Sequence, residues 1–300
     1  MISFCIKSNN NYVIDKLLED ISLIDIDGII FSKQDFSKYT NIILHYAGKK
    51  RSEFYNEIAS VLCNFILEYY EPIIIKNMIY LNYFYFDYSD FCTIENNCKE
   101  LLTNNTFTPT SSSISKLSKK DTEDIYFTDR KKCLWTSILK YITNHKSMIL
   151  DGFVCFRISD YLKYIDSAID SAVNQFVIDK EYYDFINLLK LYIEAKPESS
   201  KLLHLIYING ESILLDEEKN IINISKSNLN VNYLSDITFS SNDYALNSLL
   251  TLLPSKIIIH LITPEDEFIN TLKLIFENKI SICTDCNICQ TYRLLQAKQH

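Results

Sequence analysis

The stretch SKIIIHLITPEDEFINTLKLIFENKISIC, residues 255–283, decides the fold of the C-terminal part of the chain. It opens on a continuous apolar run, which is typical of a strand that is covered on both faces. The segment TPEDEFINTLKLIFEN then predicts a helix with Thr263 as its N-cap, Pro264 as its first residue and acidic residues in its first turn, where the helix dipole favours them. Because KISIC again has strand character, the stretch predicts a β-α-β unit that ends at Cys283.

A pair of strands is predicted upstream of this unit. The apolar segments LLHLIYI and SILLD lie on either side of Asn209-Gly210, a dipeptide that supports positive φ angles at both central positions of a tight turn. This pattern predicts a β-hairpin. The segment NIINIS, residues 220–225, suggests a further strand after it.

The first half of the chain predicts a small sheet followed by helices. Residues 1–48 contain alternating and helical apolar patterns that predict a β-α-β-β layer, and from Ser52 onward the apolar spacing becomes helical. Two later apolar stripes, residues 158–176 and 185–193, also have helical spacing. Polar residues around Asp179 interrupt them, so the sequence predicts two helices with a junction there.

One polar segment provides the predicted domain boundary. Residues 103–128 are rich in Ser, Thr, Asn and Lys and lack periodicity, as in a surface loop or linker. We therefore predict an N-terminal α/β layer with following helices over 1–102, a linker over 103–128, and a helical region with a C-terminal α/β unit over 129–300. The predicted fold class is α+β.

Composition argues against several classes of function. The net charge of −8 disfavours binding to nucleic acid or to anionic membranes, since no basic stripe offsets it. The chain has only 4 glycines and shows no glycine-rich phosphate loop, nucleophile elbow or dinucleotide-binding motif. The sequence therefore favours a protein that is not an enzyme and that binds another protein.

The sequence also suggests a compartment. The N-terminal residues lack the basic and apolar regions of a signal peptide, and no uninterrupted apolar run reaches the ~20 residues of a membrane helix. We expect a cytoplasmic protein without membrane insertion. Its nine cysteines are then expected to be reduced thiols.

Three cysteines, Cys283, Cys286 and Cys289, form a C-x-x-C-x-x-C motif directly after the predicted β-α-β unit. Thiolates at this spacing can bind one zinc ion or serve as three ligands of an iron–sulfur cluster. Either group needs a fourth ligand, and the sequence leaves four candidates open, which are Cys5, Cys155, His260 and His300. The alternative is a set of partly buried thiols in a strand-to-helix turn.

Thiol–disulfide chemistry is a third interpretation of the same motif. It requires a thiolate that is stabilised at a helix N-terminus or by a nearby positive charge. The acidic residue Asp285 lies between Cys283 and Cys286. We expect its charge to raise the pKa of a neighbouring thiol, which argues against this chemistry.

A second group of candidate residues lies in and before the long helical region. Arg157 is one of few arginines, and Lys180 and Glu181 stand at the predicted junction. An arginine guanidinium can bind a carboxylate or phosphate of a ligand or partner. The alternative is a structural ion pair that ties two helices together.

The same region resembles a known family. The segment FRISDYLKYIDSAIDSAVNQFVIDKEYYDFINLLKLYIEAKP, residues 156–197, is similar to the YtxC family of sporulation proteins from endospore-forming Firmicutes. The matching positions are Phe156, Arg157, Ile158, Tyr161, Lys180, Glu181, Tyr182, Phe185, Ile186, Leu188, Leu189 and Lys190.

The resemblance implies a biological role but no reaction or catalytic residue. It implies a sporulation protein, which we expect to be non-enzymatic and to act through protein–protein contacts at its exposed aromatic-rich helices. From its composition, the aromatic segment YLNYFYFDY, residues 80–88, is expected to contribute to the core and to this interface. It also makes Arg157, Lys180 and Glu181 the preferred contact residues. The alternative function is metal binding or thiol redox chemistry at the three cysteines.

Overall fold

The computed structural model describes residues 2–103, 125–197, 199–222 and 240–297. It has an α+β fold, as predicted, and divides into two compact units, Met1–Ile178 (unit 1) and Asp179–His300 (unit 2). Each unit contains a four-stranded mixed sheet among the described residues. The units are described separately.

Unit 1 begins with the predicted β-α-β-β layer. Its elements, up to the helix that reaches unit 2, are β1 (Ile2–Ser8), α1 (Asn11–Ser22), β2 (Ile29–Asp35), β3 (Thr40–Tyr46), α2 (Arg51–Phe65), α3 (Glu71–Asn82), α4 (Tyr88–Thr103), α5 (Ile125–Asn144), β4 (Ser147–Ile149), α6 (Leu150–Phe156) and α7 (Ser159–Glu194). The strand order is β2-β3-β1-β4, with antiparallel pairs except between β1 and β4. The apolar alternation of β1 buries Phe4 and Ile6 against the helices.

A long apolar helical stretch runs through unit 1. Helices α2 and α3 are joined by a π-helical turn, Ile66–Tyr70, so that Arg51–Asn82 is continuous. By length and mean hydropathy this stretch could cross a membrane, which differs from the sequence-based expectation. Core helices of soluble proteins meet the same criteria, and its residues Leu62 and Ile75 are buried in the core of unit 1.

The structure divides the chain at a different place from the polar segment. Buried residues on both sides of that segment, such as Leu62 and Ile138, belong to one core, because α2 packs directly against α5. Residues 125–128 of the predicted linker are helical. Residues 104–124 lie outside the described residues, so the remainder of the linker stays a prediction.

The predicted helix junction near Asp179 is wrong. Helix α7 is a single helix of 36 residues, Ser159–Glu194. It contains no glycine or proline that would break it, and Lys180 and Glu181 are good helix formers with exposed side chains. The polar interruption instead marks the place where the helix leaves one core and joins the other.

Unit 2 contains a sheet built from the predicted hairpin and the predicted β-α-β unit. Its elements after α7 are β5 (Ser199–Ile208), β6 (Glu211–Leu215), α8 (Ser241–Leu252), β7 (Pro254–Leu261), α9 (Glu267–Phe276), β8 (Ile280–Cys283) and α10 (Asn287–Ala297). The strand order is β6-β5-β7-β8, in which only the hairpin pair is antiparallel. Positive φ angles at Asn209 and Gly210 confirm the predicted turn.

Two details of unit 2 differ from the sequence-based expectations. Helix α9 begins at Glu267, and its N-cap is Asp266, whose Oδ1 accepts hydrogen bonds from the N–H groups of the first turn. Thr263 instead accepts a hydrogen bond from the N–H of Asn209. Of the suggested strand NIINIS, Ile221 forms a single bridge to Leu215, and residues 223–225 lie outside the described residues.

Candidate metal centre

The ends of two parallel strands bring a histidine and a cysteine together. His260 is the next-to-last residue of β7, Cys283 is the last residue of β8, and the strand register places them directly opposite each other. The apolar residues of β7 and the amphipathic helix α9 fix this register, because they bury one face of the β-α-β unit in the core of unit 2. The sheet therefore positions the first two side chains of the site.

A short turn and the first turn of α10 supply the other two cysteines. The carbonyl of Cys286 accepts the hydrogen bond from the N–H of Gln290, so Cys286 is the N-cap of α10. Cys289 follows in the first helical turn, on the same side. The guanidinium of Arg293 donates to the carbonyl of Thr284 at 2.8 Å, which holds the turn against the helix.

The four side chains converge on one point. One potential ligand atom from each of His260, Cys283, Cys286 and Cys289 lies within 4.8 Å of the other three. The Sγ atom of Cys289 is 3.7 Å from that of Cys286 and 3.9 Å from that of Cys283. Nδ1 of His260 is 3.3 Å from Sγ of Cys286 and 3.5 Å from Sγ of Cys289. The three cysteines of the C-x-x-C-x-x-C motif therefore form a compact cluster of four potential metal ligands together with His260.

The local environment shifts the pKa values of the Cys286 and Cys289 thiols in opposite directions. Burial raises the pKa of the Cys289 thiol to about 11. Burial also acts to raise the pKa of the Cys286 thiol. Hydrogen bonds from the backbone N–H of Cys289, from the Cys283 and Cys289 side chains and from the backbone N–H of Ile288 outweigh it and lower that pKa. The expectation that the pKa of a thiol next to Asp285 is raised is therefore wrong for Cys286. Asp285 instead accepts a hydrogen bond from Gln290.

His260 is buried beside a second histidine. Its side chain is 3% exposed, and its Nε2 lies 3.0 Å from Nδ1 of His204, on the neighbouring strand β5. Burial, and then the neighbouring His204, lower the pKa of His260 and favour its neutral imidazole. A neutral imidazole has one nitrogen with a lone pair, which is the form that binds a metal ion.

Of the four candidates that the sequence left open as a fourth donor, His260 is the one that lies beside the three cysteines among the described residues. His260 joins the three cysteines, whereas Cys5 and Cys155 belong to unit 1 and His300 lies outside the described residues. Helix α9 separates His260 from the motif along the chain, and the pairing of β7 with β8 brings them together. The sequence did not indicate His204 as a site residue. Its place beside the site becomes visible from the 3.0 Å distance between its Nδ1 and Nε2 of His260.

The other predicted contact residues lie on exposed surfaces. Arg157 follows α6 in unit 1, where its backbone N–H donates to the carbonyl of Phe153. Lys180 and Glu181 are exposed on the part of α7 that belongs to unit 2. Their predicted contact with a ligand or partner stays a prediction.

Comparisons with known proteins agree on one family. The model of the YtxC-like family matches residues 56–281, which includes His260 and ends just before the three cysteines. The uncharacterized protein YtxC of Bacillus subtilis (strain 168) is 21% identical over 132 residues, which cover 44% of this chain and 46% of that protein. The match thus spans about half the length of this curated relative. No solved structure matches the chain. Because the family model covers well over half of it, the chain belongs to the YtxC-like family.

Proposed function

We propose that this YtxC-like protein binds one zinc ion through Cys283, Cys286, Cys289 and Nδ1 of His260. The spacing of the four donors carries the proposal. A tetrahedral zinc ion with Zn–S bonds of about 2.3 Å and a Zn–N bond of about 2.0–2.1 Å separates its ligand atoms by roughly 3.5–3.8 Å. The S···S separations of 3.7 and 3.9 Å and the S···N separations of 3.3 and 3.5 Å lie close to these values.

The same spacing argues against an iron–sulfur cluster. In a four-iron cluster each thiolate binds a different iron, so the cysteine sulfurs are spread around the whole cluster. Here the three sulfurs and the imidazole nitrogen surround a volume that suits a single ion. Three thiolates with one imidazole are also a common ligand set of structural zinc sites.

The ligand set favours a structural role over a catalytic one. Catalytic zinc sites keep one coordination position for water or substrate, whereas four protein ligands close the tetrahedron. The ion would tie the ends of β7 and β8 to the start of α10. Its positive charge would also balance the negative charges of the bound thiolates, two pairs of which have their Sγ atoms 3.7 and 3.9 Å apart.

Metal content of the full chain tests the proposal. The protein is purified without added chelator and under anaerobic conditions, and its zinc and iron are measured by elemental analysis. We expect about one zinc per chain, and a tetrahedral Co²⁺ spectrum with thiolate charge-transfer bands after substitution. Cys289→Ser should abolish stoichiometric binding, whereas the matched control Cys155→Ser should retain it.

Three results would contradict the zinc proposal. Iron with visible absorption bands would indicate a cluster, and a metal-free chain with a Cys286–Cys289 disulfide under non-reducing mass spectrometry would indicate thiol redox chemistry. A metal-free chain with reduced thiols would leave the cysteines as ordinary residues of a strand-to-helix turn.

A second proposed function is the sporulation role through protein contacts. Its support is the family together with an exposed apolar surface in unit 1, formed by Tyr80, Leu81, Phe84, Tyr85 and Tyr88. Apolar side chains grouped in this way are typical of protein interfaces. Spore yield of an endospore-forming host that carries Phe84→Ser with Tyr85→Ser should fall, whereas the exposed control Ile30→Thr should not change it. Unchanged spore yield at normal protein levels would contradict this role.

A further inference from the structure

We propose that His204 is the positioning residue of the zinc site, because its Nδ1 accepts a hydrogen bond from Nε2–H of His260. This bond fixes the tautomer and the ring orientation in which Nδ1 of His260 faces the three cysteines. The inference rests on the proposed zinc site and deepens it.

The sheet places the two histidines on one face. Strands β5 and β7 are parallel neighbours, and the register pairs Ile206 with His260 and His204 with Ile258. Since side chains alternate along a strand, His204 and His260 point to the same side and lie diagonally across the pair. Their rings are nearly parallel, at 17°, with centroids 5.2 Å apart.

The tautomer follows from which nitrogen faces the sulfurs. Nδ1 of His260 is the atom close to Cys286 and Cys289, so it must offer its lone pair to the ion. A neutral imidazole then carries its proton on Nε2, which becomes a donor in a buried place and needs an acceptor. Nδ1 of His204 lies 3.0 Å away and provides that acceptor.

In this arrangement Nε2–H of His260 is the donor and Nδ1 of His204 is the acceptor. With its Nδ1 accepting, neutral His204 carries its own proton on Nε2. A partner that accepts from the second nitrogen of a metal-binding histidine orients the ring and raises the basicity of the ligand. Loss of such partners lowers metal affinity by about 10–100-fold in known sites.

Two substitutions at the same position separate hydrogen bonding from packing. His204→Leu removes the acceptor and fills its place in the sheet with an apolar side chain. His204→Asn keeps an oxygen close to the place of Nδ1, so that Nε2–H of His260 retains an acceptor. Zinc affinity of the full chains is measured by competition with a chelator. We expect His204→Leu to bind zinc about 10–100-fold more weakly, whereas His204→Asn stays within about threefold of the unsubstituted chain.

The imidazole tautomer provides a readout that a purely structural role would not change. Long-range ¹H–¹⁵N spectra of the zinc-loaded chain should show His260 bound through Nδ1 with its proton on Nε2. In His204→Leu we expect a broadened or mixed tautomer signal for His260. Far-UV circular dichroism of each variant establishes that the sheet is formed.

The outcomes distinguish this inference from the zinc proposal. Equal zinc affinity in His204→Leu and the unsubstituted chain would overturn the role of His204 while the zinc site stands. Equal weakening of zinc binding in both variants would assign the effect to packing and would overturn the role of His204. Zinc bound through Nε2 of His260 would overturn that role as well. If the unsubstituted chain binds no zinc, the zinc site fails and this inference fails with it.

Discussion

Two buried polar clusters, one in each unit, are built on opposite principles. In unit 1, the carboxylate of Glu71 binds the guanidinium of Arg130 at 3.1 Å and accepts a hydrogen bond from the hydroxyl of Tyr161. In unit 2, His260 and three cysteines direct atoms of one kind, lone-pair donors, at a common point. The first cluster joins a negative group to positive and hydrogen-bonding partners, whereas the second brings together four atoms that could each bind one metal ion.

The difference shows how a structural polar cluster can be told from a metal site. A buried charge is tolerated when an opposite charge and hydrogen bonds neutralise it within the protein, as for Glu71. Several cysteines gathered without an opposite charge cannot all become thiolates, because the charges would repel one another, unless a metal ion lies between them. Removing a partner should therefore damage stability in unit 1 and metal binding in unit 2.

The largest expected effect is that of zinc removal on unit 2. At a free zinc concentration of about 1,000 Kd, binding stabilises the folded state by about 4 kcal/mol. Chelation should remove this stabilisation and raise hydrogen exchange in β7, β8 and α10. Amides of β1 and β3 in unit 1 serve as the internal control and should keep their protection. Equal loss of protection in both units would break the comparison.

The next effect concerns the ion pair of unit 1. Arg130→Met leaves the buried carboxylate of Glu71 without its cation and should lower the free energy of unfolding by about 3 kcal/mol, as expected for a broken buried pair. Zinc content should not change. Denaturant unfolding measures the stability, and the double variant Glu71→Leu with Arg130→Met should recover much of it because the buried carboxylate of Glu71 is removed as well. A double variant as unstable as the single one would contradict this explanation.

The smallest effect is a control within unit 2 that does not involve the metal. Asp266→Ala removes the N-cap of α9 and the acceptor for the hydroxyl of Tyr207, so it should lower the free energy of unfolding by about 1–2 kcal/mol. Thr263→Val, at the position that the sequence suggested as N-cap, should cost less. Both variants should retain zinc. A larger loss from the Thr263 variant would contradict the observed start of α9.

The parts of the fold that the sequence predicted are those that local patterns determine. Alternation predicted β1, the Asn209-Gly210 dipeptide predicted the hairpin, and the apolar run before α9 predicted the central strand β7. The predicted break in α7 failed because an interruption of the apolar stripe reports a change of packing partner, which does not require a break in the backbone. The N-cap of α9 was misplaced because Thr263 and Asp266 are both good caps, and tertiary contacts of Thr263 decide between them.

Three of the four donors of the candidate site were visible in the sequence for a related reason. The three cysteines are close along the chain, so their spacing alone identifies the motif and makes a shared metal ion one of its interpretations. His260 and its neighbour His204 reach the site through the register of β5, β7 and β8. Register depends on the pairing of whole strands, so no local pattern could select His260 over Cys5, Cys155 and His300.

Zinc K-edge X-ray absorption of the purified full chain tests the coordination most directly. We expect about one zinc per chain, surrounded by three sulfurs at about 2.3 Å and one imidazole nitrogen at about 2.0–2.1 Å. A shell dominated by oxygen, a sulfur count below three, or iron in place of zinc would contradict the account.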